Sequence, residues 1–459
     1  MIVDILRSGH RIFFALAWAA LSILPAAVCF SQSGREAIYT DFVLYQKRVM
    51  LAKDLRERVI GKTFAMPLDS NSEYRYGLAC DAISQFLFFS PEVAEGFSKL
   101  FSGYDALPYD TKRSFLEAVY AVGTTNYRAL VQGILEKEED ARLFTLSAVY
   151  LYRCDSSIEN ANALKIRMAE KFPGYDTLPV LKELETYLSY HAVYAGGTTP
   201  SIPQLFAYRR LSGQKTIYSF QRWNRDYPGL ALVQNADGSF VRDGQGRLQL
   251  FTQLARSGSD LPYFIRDGST PQGVYCIRGT GVSRTHFIGP TPNLQMIMPN
   301  EDKTEKYFLM DSAGDLRAGD RETGDHGAGM SARPDSLRLY KDLWPQEWRD
   351  YAPVMEAWNA GRIGRTEIIA HGTTIDPEYF KGQPFYPLTP TMGCLCAKEL
   401  WNPTTGHLLV SEQFNLVSAW QSTPGNKGYL YVINVDDQHK PVSREEIEAW
   451  VRSVYKPNL

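Results

Sequence analysis

The 459-residue sequence lacks an excess of charge of either sign. Its 49 Lys and Arg residues nearly balance 51 Asp and Glu residues, which leaves a formal net charge of −2. A protein that follows a nucleic-acid backbone needs a basic surplus, so we expect no nucleic-acid partner. Hydrophobic residues make up 44% of the chain, which excludes a disordered protein because ample apolar surface can be buried. The length predicts two or three domains.

Long apolar runs are absent except near the N-terminus. Arg7 and Arg11 flank the start of an uncharged stretch over residues 12–28. This pattern predicts a signal peptide over residues 1–31 that is removed on export. The stretch is also long enough for an uncleaved membrane anchor, since spanning takes about 17–25 residues. A lipid anchor at Cys29 is the third alternative. All three export the remaining chain, which contacts the membrane only if the segment is uncleaved.

Cysteine is scarce, with six residues in the whole chain. The five that follow the predicted signal peptide are an odd number, so at least one thiol stays free if the others pair. Cys80 and Cys154 both fall in a helical region, where they form either a disulfide or two small buried side chains. The five cysteines are Cys80, Cys154, Cys276, Cys394 and Cys396.

The hydrophobic period changes once along the chain. Apolar side chains recur every three to four positions over residues 36–190, which predicts a helical domain that binds a wall or protein partner or acts as a scaffold. A glycine-rich linker is predicted over 191–203. Residues 204–459 carry short runs of period two. We therefore expect an α+β multidomain protein, with an N-terminal all-α domain followed by a mixed-β domain with helical insertions.

Several individual elements can be predicted within this frame. Ser90 followed by Pro91 indicates a helix start, and Gly103 and Gly123, which follow apolar-periodic runs, indicate helix ends. Residues 337–343 and 346–360 have helical periodicity, and residues 367–370 form a strand-like run. A capping box at residues 443–446 predicts the start of a final helix. Residues 311–330 are polar and glycine-rich, which predicts a surface loop.

Cys394 is the candidate nucleophile, and it directly follows Gly393. A glycine before a cysteine lets the backbone approach a substrate closely and leaves amide N–H groups for an oxyanion. His371, at the end of the strand-like run and followed by Gly372, is the candidate general base. A cysteine thiol has a reference pKa of about 8.5, so an adjacent imidazole is what would generate the thiolate.

A third segment, residues 270–275 with the sequence Thr-Pro-Gln-Gly-Val-Tyr, is a turn that leads into a strand-like run. With the pair His371-Gly372 and the segment Thr391-Met392-Gly393-Cys394, in this order, it resembles the catalytic domain of the L,D-transpeptidase (YkuD-like) family. That family carries a Thr-Pro-x-Gly-x-aromatic turn, a His-Gly strand end and a Ser/Thr-x-Gly-Cys nucleophile segment. The resemblance covers the chain from about residue 205.

The resemblance implies acyl transfer on peptidoglycan stem peptides in the periplasm or cell envelope of a bacterium, and so a role in cell-wall biogenesis and cell shape. Cys394 would form a thioacyl-enzyme, His371 would act as the base, and an amine would be the acceptor. Gly393, Gly372 and Thr391 would support the site and its oxyanion. The implied chemistry needs no metal or other cofactor. Carbapenems characteristically acylate the cysteine of family members.

The sequence departs from the family pattern at three points. His371 and Cys394 are 23 positions apart, longer than usual, with residues 376–389 as the predicted insertion. Met392 stands where His or Lys is common, and Cys396 stands where Arg or Asn is common. Cys396 is expected to be a packing residue or a redox neighbour of Cys394. Candidate replacements for the lost polar group are Arg278, Arg284 and Lys398.

Three alternative functions remain at this point. Water as the acceptor would make the protein an L,D-carboxypeptidase. A degenerate transpeptidase domain would make it a non-catalytic cell-wall-binding protein. A zinc enzyme is the third alternative. Its ligands would be His286, His326, His371 and Cys394, and their spacing matches no compact metal-binding pattern.

Overall fold

The computed structural model describes residues 34–194, 199–302, 304–309 and 336–455. The predicted signal peptide and the predicted loop over residues 311–330 lie outside these ranges. The described chain is helical first and contains its strands afterwards, which confirms the α+β class. Within these ranges, we find no helix with the length and apolarity needed to cross a membrane.

The first half of the described chain, residues 34–194, is called here the helical half. Its first helix continues into a π-helical stretch, Asp54–Lys62, and a short turn, Thr63–Ala65. Its labelled helices are α1 Tyr45–Lys53, α2 Glu73–Phe86, α3 Pro91–Gly103, α4 Tyr109–Val122, α5 Arg128–Lys137, α6 Ala141–Cys154, α7 Ile158–Lys171 and α8 Pro179–Tyr194.

Local sequence explains several helix ends. Ser90 is the N-cap of α3, and Pro91 occupies its first turn, where its missing N–H costs nothing. Gly123 ends α4 with φ of +68°, a left-handed conformation that a glycine adopts without strain. Both predicted helix boundaries are thereby confirmed.

The helices α2 to α8 stack in two rows. Helices α2, α4, α6 and α8 pack one against the next and form an inner row. Helices α3, α5 and α7 lie against α4, α6 and α8 and form an outer row. Helices α4 and α6 are buried along most of their length, because each has a neighbour on several sides.

The second half of the described chain, residues 199–455, is called here the strand half. Eight of its strands close into one barrel in the order β1-β10-β4-β5-β6-β7-β3-β2, while β8 and β9 form a separate pair. The strands are β1 Thr216–Gln221, β2 Gly229–Gln234, β3 Leu250–Leu254, β4 Gly273–Gly281, β5 Asn293–Ile297, β6 Ala370–His371, β7 Leu395–Ala397, β8 Glu399–Trp401, β9 Leu408–Ser411 and β10 Gly428–Asn434. The helices are α9 Ile202–Leu211, α10 Thr304–Tyr307, α11 Ser336–Lys341, α12 Glu356–Ile363, α13 Glu412–Gln421 and α14 Arg444–Tyr455.

All eight barrel strands contribute side chains to one apolar cluster, which also holds Leu416 and Trp420 of α13. We call the side of the sheet that faces this cluster the inner face. Side chains alternate between the two faces of a strand. Ala370 of β6 and Leu395 of β7 belong to the inner cluster. Their neighbours His371 and Cys396 therefore lie on the outer face.

Two sequence-based element predictions are wrong in extent. Residues 346–360 do not form one helix, but two short 3-10 turns followed by α12. Pro353 lies in the second turn, and its missing N–H and its ring prevent a continuous helix there. The strand predicted over residues 367–370 is reduced to the pair Ala370–His371, because Glu367 takes a left-handed conformation with φ of +64°. The capping box is confirmed, since Ser443 and Glu446 exchange both expected hydrogen bonds.

The two halves share one hydrophobic core. Side chains of the segment 254–265, among them Leu261 and Phe264, join a cluster built mostly by helices of the helical half. Phe380, Phe385 and Leu388 join it from the predicted insertion, residues 376–389. The longer interval between His371 and Cys394 therefore contains a segment that packs against the helical half.

Candidate active site

Cys394 directly precedes β7 and lies at the end of a tight turn. The hydroxyl of Thr391 donates to the carbonyl of Cys394 at 2.8 Å and accepts from the amide of Gly393 at 3.1 Å. Gly393 has φ of +112°, which a residue with a Cβ rarely adopts. Thr391 and Gly393 thus shape the turn that presents the thiol. Since the Gly393 amide already donates to Thr391, it is not an unengaged oxyanion donor.

The thiol of Cys394 is half-buried beside the segment that leads into β6. Its Sγ lies 3.5 Å from the carbonyl oxygen of Glu367, to which it donates, and 3.5 Å from the amide nitrogen of Ile369, which donates to it. Burial is the main reason that the pKa of this thiol is raised to about 11, while the Ile369 amide and the charge of Arg365 act in the opposite direction. The group is therefore a protonated thiol at neutral pH.

His371 lies on β6, next to the strand that follows Cys394. The parallel ladder pairs His371 with Cys396 and Ala370 with Leu395. Cys394 is two positions earlier than Cys396 and precedes the paired part of β7, so the ladder brings the two segments side by side without pairing His371 with Cys394.

The imidazole of His371 is 5% exposed. Its Nδ1 contacts the carbonyl oxygen of Gly372, which requires a proton on Nδ1 and leaves Nε2 as the acceptor. Burial lowers the pKa of His371 to about 4, so the ring is neutral above that pH. Among the described residues, the structure records no hydrogen bond between His371 and Cys394.

The turn at residues 270–273 contacts the nucleophile segment directly. The hydroxyl of Thr270 donates to the carbonyl of Gly393 at 2.8 Å. The hydroxyl of Tyr275 donates to the carbonyl of Pro271 at 2.7 Å, which holds the turn on β4. A Cβ at Gly273 would overlap Ala357, so this position requires glycine. The turn and the nucleophile segment, distant in sequence, are therefore hydrogen-bonded to each other.

Glu399 is a buried carboxylate that the sequence analysis missed. It accepts hydrogen bonds from the amide of Thr373 at 2.8 Å and from the hydroxyl of Ser411 at 2.6 Å. Burial raises its pKa to about 7. A Cβ at Gly372 would overlap this carboxylate, which explains the glycine after His371. No local pattern marks Glu399, because its partners come from other segments.

Arg365 is the second residue that the sequence analysis missed. Its guanidinium lies against Gly393 and carries a positive charge near Cys394. The three cations proposed from sequence are placed elsewhere or differently engaged: Arg278 donates to the carbonyl of Lys306, the charge of Lys398 acts on Glu412, and Arg284 is exposed. Arg365 carries no motif of its own, because it lies two residues after the end of α12 and reaches the turn before Cys394 only in the fold.

In the part of the chain that the structure describes, no disulfide and no metal-binding group is assembled around Cys394. Cys80, Cys154, Cys276, Cys394 and Cys396 are all free thiols, so the disulfide considered for Cys80 and Cys154 is not formed. Cys396 is buried and lies 3.6 Å from the hydroxyl of Thr389, consistent with packing. His286 stacks on Phe42 at 5.3 Å between ring centroids, and His326 is outside the described residues. Within the described ranges, we find no group of three His, Cys, Asp or Glu residues arranged to hold a metal ion.

Comparison with known proteins adds no assignment, because no protein-family model, curated protein or solved structure matches this chain.

Proposed function

We propose that this chain is an exported cysteine acyltransferase of the L,D-transpeptidase type, with a catalytic domain over residues 204–459, that acts on peptidoglycan stem peptides. The observation that carries the proposal is the hydrogen bond from Thr270 to the carbonyl of Gly393 at 2.8 Å. It joins two of the three motif segments at one point. The third segment begins in the neighbouring strand β6, whose residue His371 pairs in the ladder with Cys396, two positions after Cys394.

In the proposed first step the sulfur of Cys394 attacks a carbonyl carbon of the stem peptide, while Nε2 of His371 takes the thiol proton. The tetrahedral oxyanion is held by the backbone amide of Cys394, since that of Gly393 already donates to Thr391. The C–N bond then breaks, and the leaving D-alanine amine takes the proton from His371. A thioester on Cys394 results.

In the second step an amine attacks the thioester carbonyl and gives its proton to His371. The C–S bond breaks, the new amide is released, and the proton returns to the sulfur. A neutral imidazole and a neutral thiol, the forms present at pH 7, are the starting states that general-base catalysis needs. Residues Gly372 and Glu399 support this arrangement by fixing the chain after His371.

A non-catalytic cell-wall-binding protein is the second candidate. It is favoured by the ladder, which pairs His371 with Cys396 rather than with Cys394. Slow alkylation of Cys394 would not distinguish the two candidates, because burial of the thiol slows alkylation in either case. Acylation by a carbapenem does distinguish them, since it requires the site to form and hold a thioester.

The deciding experiment is intact-mass measurement after the purified chain is mixed with a carbapenem, followed by peptide mapping. We expect one adduct on Cys394 that is absent in Cys394→Ser and retained in the matched control Cys396→Ser. His371→Gln should slow its formation by about 10²–10⁴-fold, the usual contribution of a general base. Absence of the adduct, with the Cys394 thiol shown to be free by titration, would favour the binding protein.

A further inference from the structure

Arg365 contacts two segments. One is the turn over residues 391–394, called here the nucleophile turn, and the other is the loop over residues 256–269, called here the clamp loop. The guanidinium donates to the carbonyl oxygens of Gly268 at 2.9 Å and Ser269 at 3.0 Å, and also to that of Tyr263. The nitrogen that donates to Gly268, Nη2, also packs so closely on Gly393 that a Cβ there would overlap it, and the Gly268 carbonyl lies against the same position. The guanidinium position is therefore set by the clamp loop, and the turn before Cys394 is built against the guanidinium.

The other side of the clamp loop contacts the inner row of the helical half. Gly258 packs on the carbonyl oxygen of Ser84 in α2, with no room for a Cβ. Asp267 forms an ion pair with Arg113 of α4 at 3.6 Å.

Helices α6 and α8 make the corresponding contacts further along the row. Asp260 lies 3.9 Å from Arg153 of α6, and the hydroxyl of Tyr263 donates to Glu183 of α8 at 2.5 Å. Each of the four inner-row helices thus supplies a contact to the same loop. The face of the helix stack that faces the strand half is occupied by the chain itself.

We infer that Arg365 is a positioning residue for Cys394, and that the helical half acts through the clamp loop and Arg365 to hold the nucleophile turn in place. A buried guanidinium whose donors are bound by carbonyls of one loop cannot shift unless that loop shifts. Its charge also stabilises negative charge at the sulfur. The inference rests on the proposed function only in assigning Cys394 as the nucleophile.

The first test separates the charge of Arg365 from its hydrogen bonds. Arg365→Gln removes the charge, and Arg365→Lys keeps it while losing the planar fork. We expect Arg365→Gln to lower the alkylation rate of Cys394 at pH 8 at least about threefold and to displace its pH profile to higher pH, because a nearby cation favours the thiolate. Arg365→Lys should restore most of the profile. Coincident profiles for wild type and Arg365→Gln, with unchanged circular dichroism, would overturn the electrostatic part.

The second test addresses the clamp and remains informative if Arg365→Gln fails to fold. Tyr263→Phe removes the hydroxyl that donates to Glu183, on the side of the clamp loop away from the thiol. Its control is Tyr175→Phe, which removes a tyrosine–glutamate bond of 2.7 Å to Glu185 in a more exposed part of the helical half. We expect Tyr263→Phe, but not Tyr175→Phe, to change the rate of carbapenem acylation of Cys394 at least about threefold. The melting temperatures of the two variants should be similar.

Equal rates in Tyr263→Phe and Tyr175→Phe would refute coupling through the clamp loop. If the wild-type chain forms no carbapenem adduct, the proposed function fails, and the same comparison is made on the alkylation rate of Cys394. The failure of the function and the failure of the coupling are therefore separate results.

Discussion

Cys394 should be a slow nucleophile toward a simple alkylating agent, and the pH dependence of the rate shows why. Burial raises the pKa of its thiol to about 11. At pH 7.5 about 0.03% of such a thiol is ionised, against about 10% of an exposed cysteine with a pKa of about 8.5. The roughly 300-fold deficit is offset about tenfold by the greater nucleophilicity of the more basic thiolate. A net rate about 30-fold below that of free cysteine follows.

The pH profile is more informative than the single rate. Because burial lowers the pKa of His371 to about 4, no imidazole titrates between pH 6 and 9.5. The logarithm of the alkylation rate should rise linearly with pH, tenfold per unit, without a plateau in that range. His371→Gln should leave the profile almost unchanged, although it slows carbapenem acylation strongly.

The assay is timed reaction with iodoacetamide between pH 6 and 9.5, with the extent of modification at Cys394 read by peptide mass spectrometry. Mapping is needed because Cys154 is also partly accessible. A plateau near neutral pH, or a rate above that of free cysteine that is lost in His371→Gln, would refute the electrostatic reasoning. It would mean that a thiolate–imidazolium pair exists in the free protein.

Three further predictions concern stability. Gly372→Ala should destabilise the fold by about 2 kcal/mol in urea denaturation, because the added Cβ overlaps the Glu399 carboxylate, and an unchanged midpoint would contradict this packing. Burial raises the pKa of Glu356 to about 8. The free energy of unfolding of the wild type therefore falls as the pH rises from the pKa of this group in the unfolded chain to its pKa in the folded protein. Glu356→Gln should gain at least about 1 kcal/mol relative to the wild type between pH 5 and 9, and a pH-independent difference would refute this expectation. Phe385→Ala should lower the free energy of unfolding by about 3 kcal/mol, because Phe385 lies in the shared core. The unfolding transition monitored by tryptophan fluorescence, which reports the strand half, should coincide with the one monitored by the far-ultraviolet signal of the helices. Separate transitions would show that the halves are not coupled.

Local sequence was sufficient for the elements whose causes are local. The start of α3 at Pro91, the end of α4 before Gly123 and the capping box at Ser443 depend on residues a few positions apart, and all three are present. Alternating and helical periods likewise separated a helical region from a strand region. The same reasoning fails over residues 346–360, because Pro353 interrupts the helix that the apolar spacing predicts.

The site divides in the same way. Cys394, His371 and the turn at Thr270 each belong to a short local motif, so the sequence alone identifies them as candidate site residues. Arg365 and Glu399 carry none, because each acts through carbonyl, amide or hydroxyl groups of segments far away in the chain.

Tertiary structure alone decided how the two halves relate. The sequence separated a helical region from a strand region but contained no sign that four helices would hold one loop of the strand half. Those contacts pair residues such as Glu183 and Tyr263, or Arg113 and Asp267, whose proximity depends on how the rows stack. Periodicity specifies which face of a helix is buried, but it does not specify against what. The partner surface is chosen by the complementarity of whole elements, and that is settled only when the chain folds.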